Sequence, residues 1–222
     1  MRKVIINIFL FIFLLTILGC KKENRPPVIN SITVSSSVIY VDSTYTFECS
    51  AYDPDGDNLT YHWSCSNGTL LSSSGKTVKW KAPERSGTAI ISCEVRDGKG
   101  GGDKMDKSVT IKPITITIIN WSGYIEAGYA IYWKKYIKKD WTIHGYFSVA
   151  GGEGIKFRIL DATNFEKWRN GYEYRALVST GWSSGTTFSA VIPASGDYYV
   201  ILENWYTIYD KYVTLFVQIT SL

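Results

Sequence analysis

Asp53, Asp55 and Asp57 set three carboxylates at alternate positions of one short stretch. Hard oxygen ligands spaced in this way are what Ca²⁺ takes. The stretch lacks the distal Glu of an EF-hand loop and runs straight into a strand-like segment. A turn whose Asp side chains bond local N–H groups is therefore the first reading, with calcium as the alternative. Cys49, Cys65 and Cys93 supply thiols. His62 and His144 are the chain's 2 histidines and fall in different halves of it, which argues against a His-based metal site or triad. A catalytic cysteine is not expected either, because His62 points away from Cys65 on a regular strand. Most of the 8 tryptophans lie in the C-terminal half. Trp182 sits in the loop-like run Thr180-Gly181-Trp182-Ser183-Ser184-Gly185, and Trp205 and Tyr206 follow a strand end. Aromatic rings exposed at such places can stack on the apolar face of a sugar, so these residues are ligand-binding candidates. Core filling is the competing reading, because aromatics dominate ordinary cores.

Other chemistry is missing. No Walker-type phosphate loop, Gly-x-Ser-x-Gly elbow or His-Glu-x-x-His helix occurs. Ala150-Gly151-Gly152-Glu153-Gly154 lies between two strand candidates and reads as a hairpin turn, not a phosphate cradle. Paired carboxylates of a glycosidase stay open, yet the acids are scattered mostly in turns. The chain is read as a non-enzyme, with no cofactor other than the calcium candidate. Net charge is +4, and Arg2 and Lys3 lie in a segment expected to be removed. The most basic stretch, Tyr132 to Lys139, reads as a strand end with a solvated face. A nucleic-acid partner is not expected.

The elements that must position these residues are mostly strands. Thr, Ile, Val, Tyr and Trp are prominent and suit pleated, half-buried surfaces. Before them stands a different signal. Met1-Arg2-Lys3 is basic, and Val4 to Leu18 is almost wholly apolar but short of the roughly 20 residues that span a bilayer. It ends on Ile17-Leu18-Gly19-Cys20. That ending resembles the lipobox of bacterial lipoprotein signal peptides, with Ile17 where Leu is usual. The resemblance implies that residues 1–19 are removed and that Cys20 is acylated and anchors the protein to a membrane. Lys21 is not the Asp that retains enterobacterial lipoproteins at the inner membrane, so an outer-membrane site is favoured where one exists. Residues 20–27 read as the lipidated Cys and a solvated tether.

Residues 28–113 carry short strand candidates separated by turn residues, as a β-sandwich requires. In Tyr45-Thr46-Phe47-Glu48-Cys49-Ser50-Ala51, apolar and polar positions alternate. The run from Cys49 through Asp53-Pro54-Asp55-Gly56-Asp57 to Trp63 resembles bacterial Ig-like domains of the polycystic-kidney-disease (PKD) type. So does Thr88 to Val95 with its exit Asp97-Gly98-Lys99-Gly100-Gly101. The resemblance implies an Ig-like sandwich used as a spacer or as a protein- or glycan-contacting module. Cys49, Trp63 and Cys93 have the order of the Ig cross-sheet disulfide packed on a Trp, and export makes oxidation plausible. Cys49–Cys93 is the preferred bridge, with Cys65 as the rival partner for Cys93.

Residues 114–222 carry about eight more strand candidates and one short helix, for which Thr163 and Glu166 have capping-box spacing and Gly171 supplies the stop. Gly145 to Val149, Ile155 to Asp161, Asn164 to Gly171 and Ile192 to Asn204 resemble the β-sandwich family that includes Golgi-dynamics (GOLD) domains. That implies a binding or spacing role without transferable ligand residues. The expectation is an all-β chain: two consecutive sandwiches, Ig-like then jelly-roll or GOLD-like, behind a lipoprotein signal. Its function would be that of a membrane-anchored, non-catalytic envelope module that contacts protein partners. The alternative is polysaccharide capture through Trp182, Trp205 and Tyr206.

Overall fold

The structure is a computed structural model that describes residues 22–151, 153–205 and 207–222. Cys20 and Tyr206 lie outside the described residues. Among those described, no helix is long and apolar enough to cross a membrane.

Alternating apolar positions build the first sandwich. Its strands are β1 (Val28–Val34), β2 (Ile39–Tyr40), β3 (Thr44–Tyr52), β4 (Thr60–Cys65), β5 (Thr69–Leu70), β6 (Thr77–Lys81), β7 (Gly87–Arg96) and β8 (Gly102–Lys112). They form two four-stranded sheets, ordered β1-β3-β6-β5 and β2-β8-β7-β4. The pair β2–β8 is parallel and the other pairs are antiparallel. Period-two alternation turns Phe47 and Cys49 from β3, Val78 and Trp80 from β6, and Ile91, Cys93 and Val95 from β7 into one core. Trp80 is fully buried, edge-on to Phe47, and its indole N–H donates to the Asn67 carbonyl at 2.9 Å. β2 and β5 are two residues each, below what sequence alternation can show.

The segment read as a solvated tether is docked over its described part. Pro27 is buried. The Asn24 amide donates to Asp97 Oδ2 at 2.7 Å, and Lys22 and Arg25 both reach the Asp55 carboxylate at 2.7 Å. The Asp-Gly-x-Gly-Gly exit is what lets the chain lie there. Asp97 Oδ1 accepts from the backbone N–H groups of Lys99 and Gly101, and a Cβ at Gly101 would come within 2.8 Å of Pro26 Cα.

The second sandwich contains β9 (Thr115–Ile125), β10 (Ala130–Ile137), β11 (Thr142–Val149), β12 (Lys156–Asp161), α1 (Ala162–Arg169), β13 (Val178–Ser179), β14 (Gly185–Val191), β15 (Gly196–Glu203) and β16 (Lys211–Thr220). Its sheets run β10-β15-β12-β13 and β14-β11-β16-β9. Phe147, Phe157, Ile159, Val200, Leu202, Val213, Leu215 and Val217 pack between them. Asp161, not Thr163, caps α1: its carboxylate accepts from Asn164 N–H at 2.8 Å. Asp outcompetes Thr because a charged acceptor at the helix start also meets the positive end of the dipole. The stop is where Gly171 puts it. Its φ of 76° allows Tyr172 N–H to reach the Lys167 carbonyl and Gly171 N–H to reach that of Trp168, a Schellman closure.

The outer faces of the two sheets differ. On the β10-β15-β12-β13 sheet, α1 covers Leu160 and Ile201 with Phe165 and Trp168, and the rest carries the ion pairs Lys134–Asp197 and Arg158–Glu203. On the other sheet, cross-strand partners form rows of uncharged residues: Ser189, His144, Gln218 and Thr117 in one, Thr187, Tyr146, Phe216 and Asn120 in the next, then Ser148, Thr214 and Ser122, then Tyr212 and Tyr124.

The two sandwiches meet end to end. Ile114 and Ser221 exchange bonds of 2.8 and 2.9 Å, and Ser86 N–H donates to the Leu222 carbonyl at 2.7 Å. Two ion pairs cross the junction, Lys138–Asp42 at 3.2 Å and Arg85–Asp140 at 3.4 Å. Among the described residues, Asp42 and Asp140 are the non-glycine residues at positive φ, 56° and 66°, a conformation that Asp tolerates better than most.

Bonds from Lys81 and then Lys138 hold the Asp42 carboxyl below its ordinary value of 3.8. A depressed carboxylate stabilises the fold fully above the ordinary value, and the contribution is lost as pH falls through the lower, folded value. The junction should therefore loosen only below pH 3.8, and Asp42→Asn should loosen it at neutral pH. Small-angle scattering checks this: the radius of gyration should rise in both cases with the strand signal in circular dichroism unchanged.

Candidate functional site

Three loops at one end of the second sandwich enclose a groove of about 500 Å³ lined by Glu153, Gly154, Trp182, Thr207, Ile208 and Tyr209. They are the β11–β12, β13–β14 and β15–β16 connections. Each is held by a specific device. Ile155 and Ser183 exchange backbone bonds of 3.0 Å, pinning the first loop to the second. A Cβ at Gly154 would lie 2.3 Å from Ser183 N, so this approach requires glycine. The third loop is tied from below by Asn204, which is fully buried. Its amide donates to the carbonyls of Ile125 at 2.9 Å and Tyr209 at 3.0 Å, and its Oδ1 accepts from the Thr207 hydroxyl. A buried amide with every group paired is a rigid support.

Trp182 is 45% exposed and Tyr209 is 62% exposed, while Ile208 at 82% is the most open apolar side chain of the loop. Lys156 Nζ stands 5.4 Å over the Trp182 ring, and Lys211, itself buried, bonds Glu153 at 2.7 Å with its Nζ 6.0 Å from the Tyr209 ring. The groove thus offers two aromatic faces, a carboxylate already met by an ammonium, and a hydroxyl. This set can stack and hydrogen-bond a ligand. Among the described residues it holds no nucleophile with a base beside it.

Trp205 is not a wall of this groove. It is 40% exposed, but its ring lies on Trp168, 5.2 Å away and 8° from parallel. Trp168 in turn donates to the buried Glu203 carboxylate at 3.1 Å, which also accepts from Arg158, and Arg158 sits 5.4 Å over Tyr174. Sequence position suggested one platform for Trp182 and Trp205, and the fold divides them: one belongs to a loop groove, the other to the packing around α1. The residues that sequence reading missed are Tyr209, Ile208 and Asn204. The polar and aromatic sequence around Ile208 and Tyr209, with Asp210 after them, was a readable signal for the first two. Nothing local distinguishes Asn204, whose role comes from the long-range carbonyl of Ile125.

In the first sandwich Asp53, Asp55 and Asp57 do converge, each offering a ligand oxygen within 4.8 Å of the others. They already have partners. Asp53 Oδ1 accepts from the Asp55 and Asp57 N–H groups, Asp55 meets Lys22 and Arg25, and Asp57 meets Lys99 at 2.6 Å. The Lys22 ammonium, then Arg25, holds the Asp55 carboxyl well below the usual carboxylate range. Asp53 Oδ2 and Asp57 Oδ2 are buried without a bond among the described residues. A calcium ion here would have to displace the ammonium and guanidinium groups that now balance the three charges.

Cys49 and Cys93 are buried thiols facing each other across the core, from β3 in one sheet and β7 in the other. Trp63 is the cross-strand neighbour of Cys93, and Cys65 pairs with Ile91 two positions along. Burial pushes both the Cys49 and Cys93 thiols up, so neither is a thiolate nucleophile.

A family model described as bacterial Ig domain matches residues 24–112, and the first module is an Ig-like domain. No curated protein matches the chain. Among solved structures, the chain is similar to the PKD1 domain of Vibrio anguillarum Epp at 24% identity, over 40% of this chain and 96% of that one, with a TM-score of 0.33. It is similar to PliG of Aeromonas hydrophila, a periplasmic inhibitor of g-type lysozyme, at 14% identity, over 49% and 86%, with a TM-score of 0.34. It is also similar to a structure of carbohydrate-binding modules from the beta-sandwich superfamily, at 12% identity, over 90% and 94%, again with a TM-score of 0.34.

The division between the two tryptophans is measurable. Trp205→Ala removes a stacked partner of Trp168 and should lower stability by roughly 0.5–1.5 kcal/mol beyond its lost area. Trp182→Ala should leave the denaturation midpoint within about 0.5 kcal/mol of the parent, as exposed truncations do. Urea unfolding of both variants checks this, and equal losses would place both rings in the same packing.

Proposed function

We propose that the chain is a lipid-anchored, non-catalytic envelope protein whose Ig-like module is a spacer and whose second sandwich captures a carbohydrate ligand in the groove at Trp182. The observation that carries the capture is the pairing of exposed Trp182 and Tyr209 across a groove that has hydrogen-bonding groups and no nucleophile–base pair. Protein contact is the reading that sequence alone places first; among the described residues no second groove pairs two exposed aromatic rings in this way.

The docked tether gives the anchor a geometric meaning. Lys22, two residues beyond Cys20, is bonded to Asp55 at the far end of the first module from the junction at Asp42. The nine residues of β3 separate these ends by roughly 30 Å. Acylation of Cys20 would hold the Asp turn against the membrane and present the second module away from it, on the outer membrane where the organism has one. GOLD-like descent of that module belongs to the same proposal.

Oxidation of Cys49 and Cys93 to a bridge also fits an exported protein. It would close the sandwich against Trp63 and contribute about 2–4 kcal/mol. Non-reducing peptide mapping of protein from its native envelope should join Cys49 to Cys93. A Cys65–Cys93 peptide would overturn the pairing.

Fractionation and binding test the whole reading. Cys20→Ser should release the chain from membranes or leave its signal uncut. Trp182→Ala should weaken binding to a glycan panel by roughly 1–3 kcal/mol, by analogy with bases stacking on aromatic rings, at unchanged melting temperature. Unchanged fractionation removes the anchor, and unchanged binding removes the groove.

A further inference from the structure

The open face of the β14-β11-β16-β9 sheet has a composition that the rest of the chain does not share. Charged residues make up 20% of the sequence, so a face of this size would by composition carry several. Among the described residues, the outward positions of these four strands carry no Asp, Glu, Lys or Arg. The opposite sheet, of the same size and in the same module, carries ion pairs and a helix. Small polar groups here are tied laterally: the Ser122 hydroxyl donates to Thr214 Oγ1 at 3.0 Å, and the Gln218 amide to Thr117 Oγ1 at 3.2 Å. Rings are tied too. Tyr146 stacks on Phe216 at 5.7 Å, and Tyr124 meets Tyr212 edge-on at 5.1 Å. Tyr124, Tyr146 and Tyr212 remain between 41% and 69% exposed.

From these observations we infer that this face is a docking platform for an extended, uncharged polysaccharide, laid along β16 and leading into the groove at Tyr209. The inference rests on the reading that the second sandwich binds carbohydrate, and it extends that reading from a groove to a track and from any glycan to a neutral one. Sugar hydroxyls both donate and accept, and so do the Ser, Thr and Tyr hydroxyls and the Asn and Gln amides of the face. Charged side chains do only one of the two and must be desolvated, a penalty that a neutral polymer would not offset. The aromatic pairs supply stacking for the apolar ring faces. Phe216 and Tyr212 lie four residues apart on β16, roughly 13 Å, a span suited to a chain of sugars rather than a single residue. Lys211, next in the strand, bonds Glu153 of the groove lining at 2.7 Å, so the row of rings runs toward the loops around Trp182. Anionic polymers such as uronates find no cation on the face. A second copy of this chain is the other occupant that a flat strand face could take.

Thr187 and Asn120 flank the Tyr146–Phe216 stack on either side, and both are exposed, so Thr187→Glu and Asn120→Glu add charge without touching the core. The full chain in detergent would be mixed with cellulose or mannan as neutral probes and with polygalacturonate as the anionic one, and depletion measured alongside light scattering. The parent should bind a neutral polymer and not polygalacturonate. Each Glu variant should bind it at least about tenfold more weakly, the equivalent of one lost stacking contact, at unchanged melting temperature. Neutral-polymer binding that Trp182→Ala weakens and the Glu variants leave intact would overturn the platform while the groove reading stands. Binding weakened by the Glu variants and not by Trp182→Ala would keep the platform and remove the groove. Failure of the parent to bind any neutral polymer would overturn both. Self-association that the Glu variants abolish would assign the face to a second copy and overturn the inference.

Discussion

A β-strand has two faces, and a sheet of four short strands cannot hold together in water unless one face is covered. Every feature of this chain follows from how that constraint is met. In each module two sheets cover one another, so inward positions take Ile, Val and Phe, and the remaining decision concerns only the outer faces. The second module decides differently on its two sides. One outer face is apolar enough at Leu160 and Ile201 to need a lid, and α1 supplies it with Phe165 and Trp168. The other keeps rings and hydroxyls open to solvent without charge.

The loops inherit their positions from the same sheets. Because β12, β14 and β16 start at one end of the sandwich, the loops preceding them meet there, and the groove is the space between them. Rigidity at that end does not come from the loops' own composition. It comes from Asn204, buried at the end of β15, and from the Gly154–Ser183 contact, each of which joins segments far apart in sequence. The Ig-like module shows the same economy at its own end. The Asp turn, which a sequence motif would assign to a cation, is engaged in fixing the chain's entry segment through Lys22, Arg25 and Lys99.

Much of this was legible in the linear sequence, because the signals are local. Period-two alternation from Tyr45 to Ala51 depends only on neighbours in the chain, and so does the Gly171 stop. The exposure of Trp182 followed from its glycine-flanked loop. The Thr163–Glu166 spacing points to a cap two residues late, because spacing alone does not register the charged acceptor that Asp161 brings to the helix start. Local position also groups Trp205 with Trp182, because both follow turn residues. Only the path of α1, which brings Trp168 beneath Trp205, separates them.

What the sequence determined by itself was the class of fold and the order of the modules. These rest on periodicity and on residue chemistry, both of which act within a few positions. What only the tertiary structure decided was which side chains share a surface. The uncharged rows across β14, β11, β16 and β9 draw one member each from strands separated by tens of residues, and register alone brings Thr187, Tyr146, Phe216 and Asn120 into line. A shift of one residue in any of those pairings would turn its side chains to the core, so the face exists only as a property of the assembled sheet.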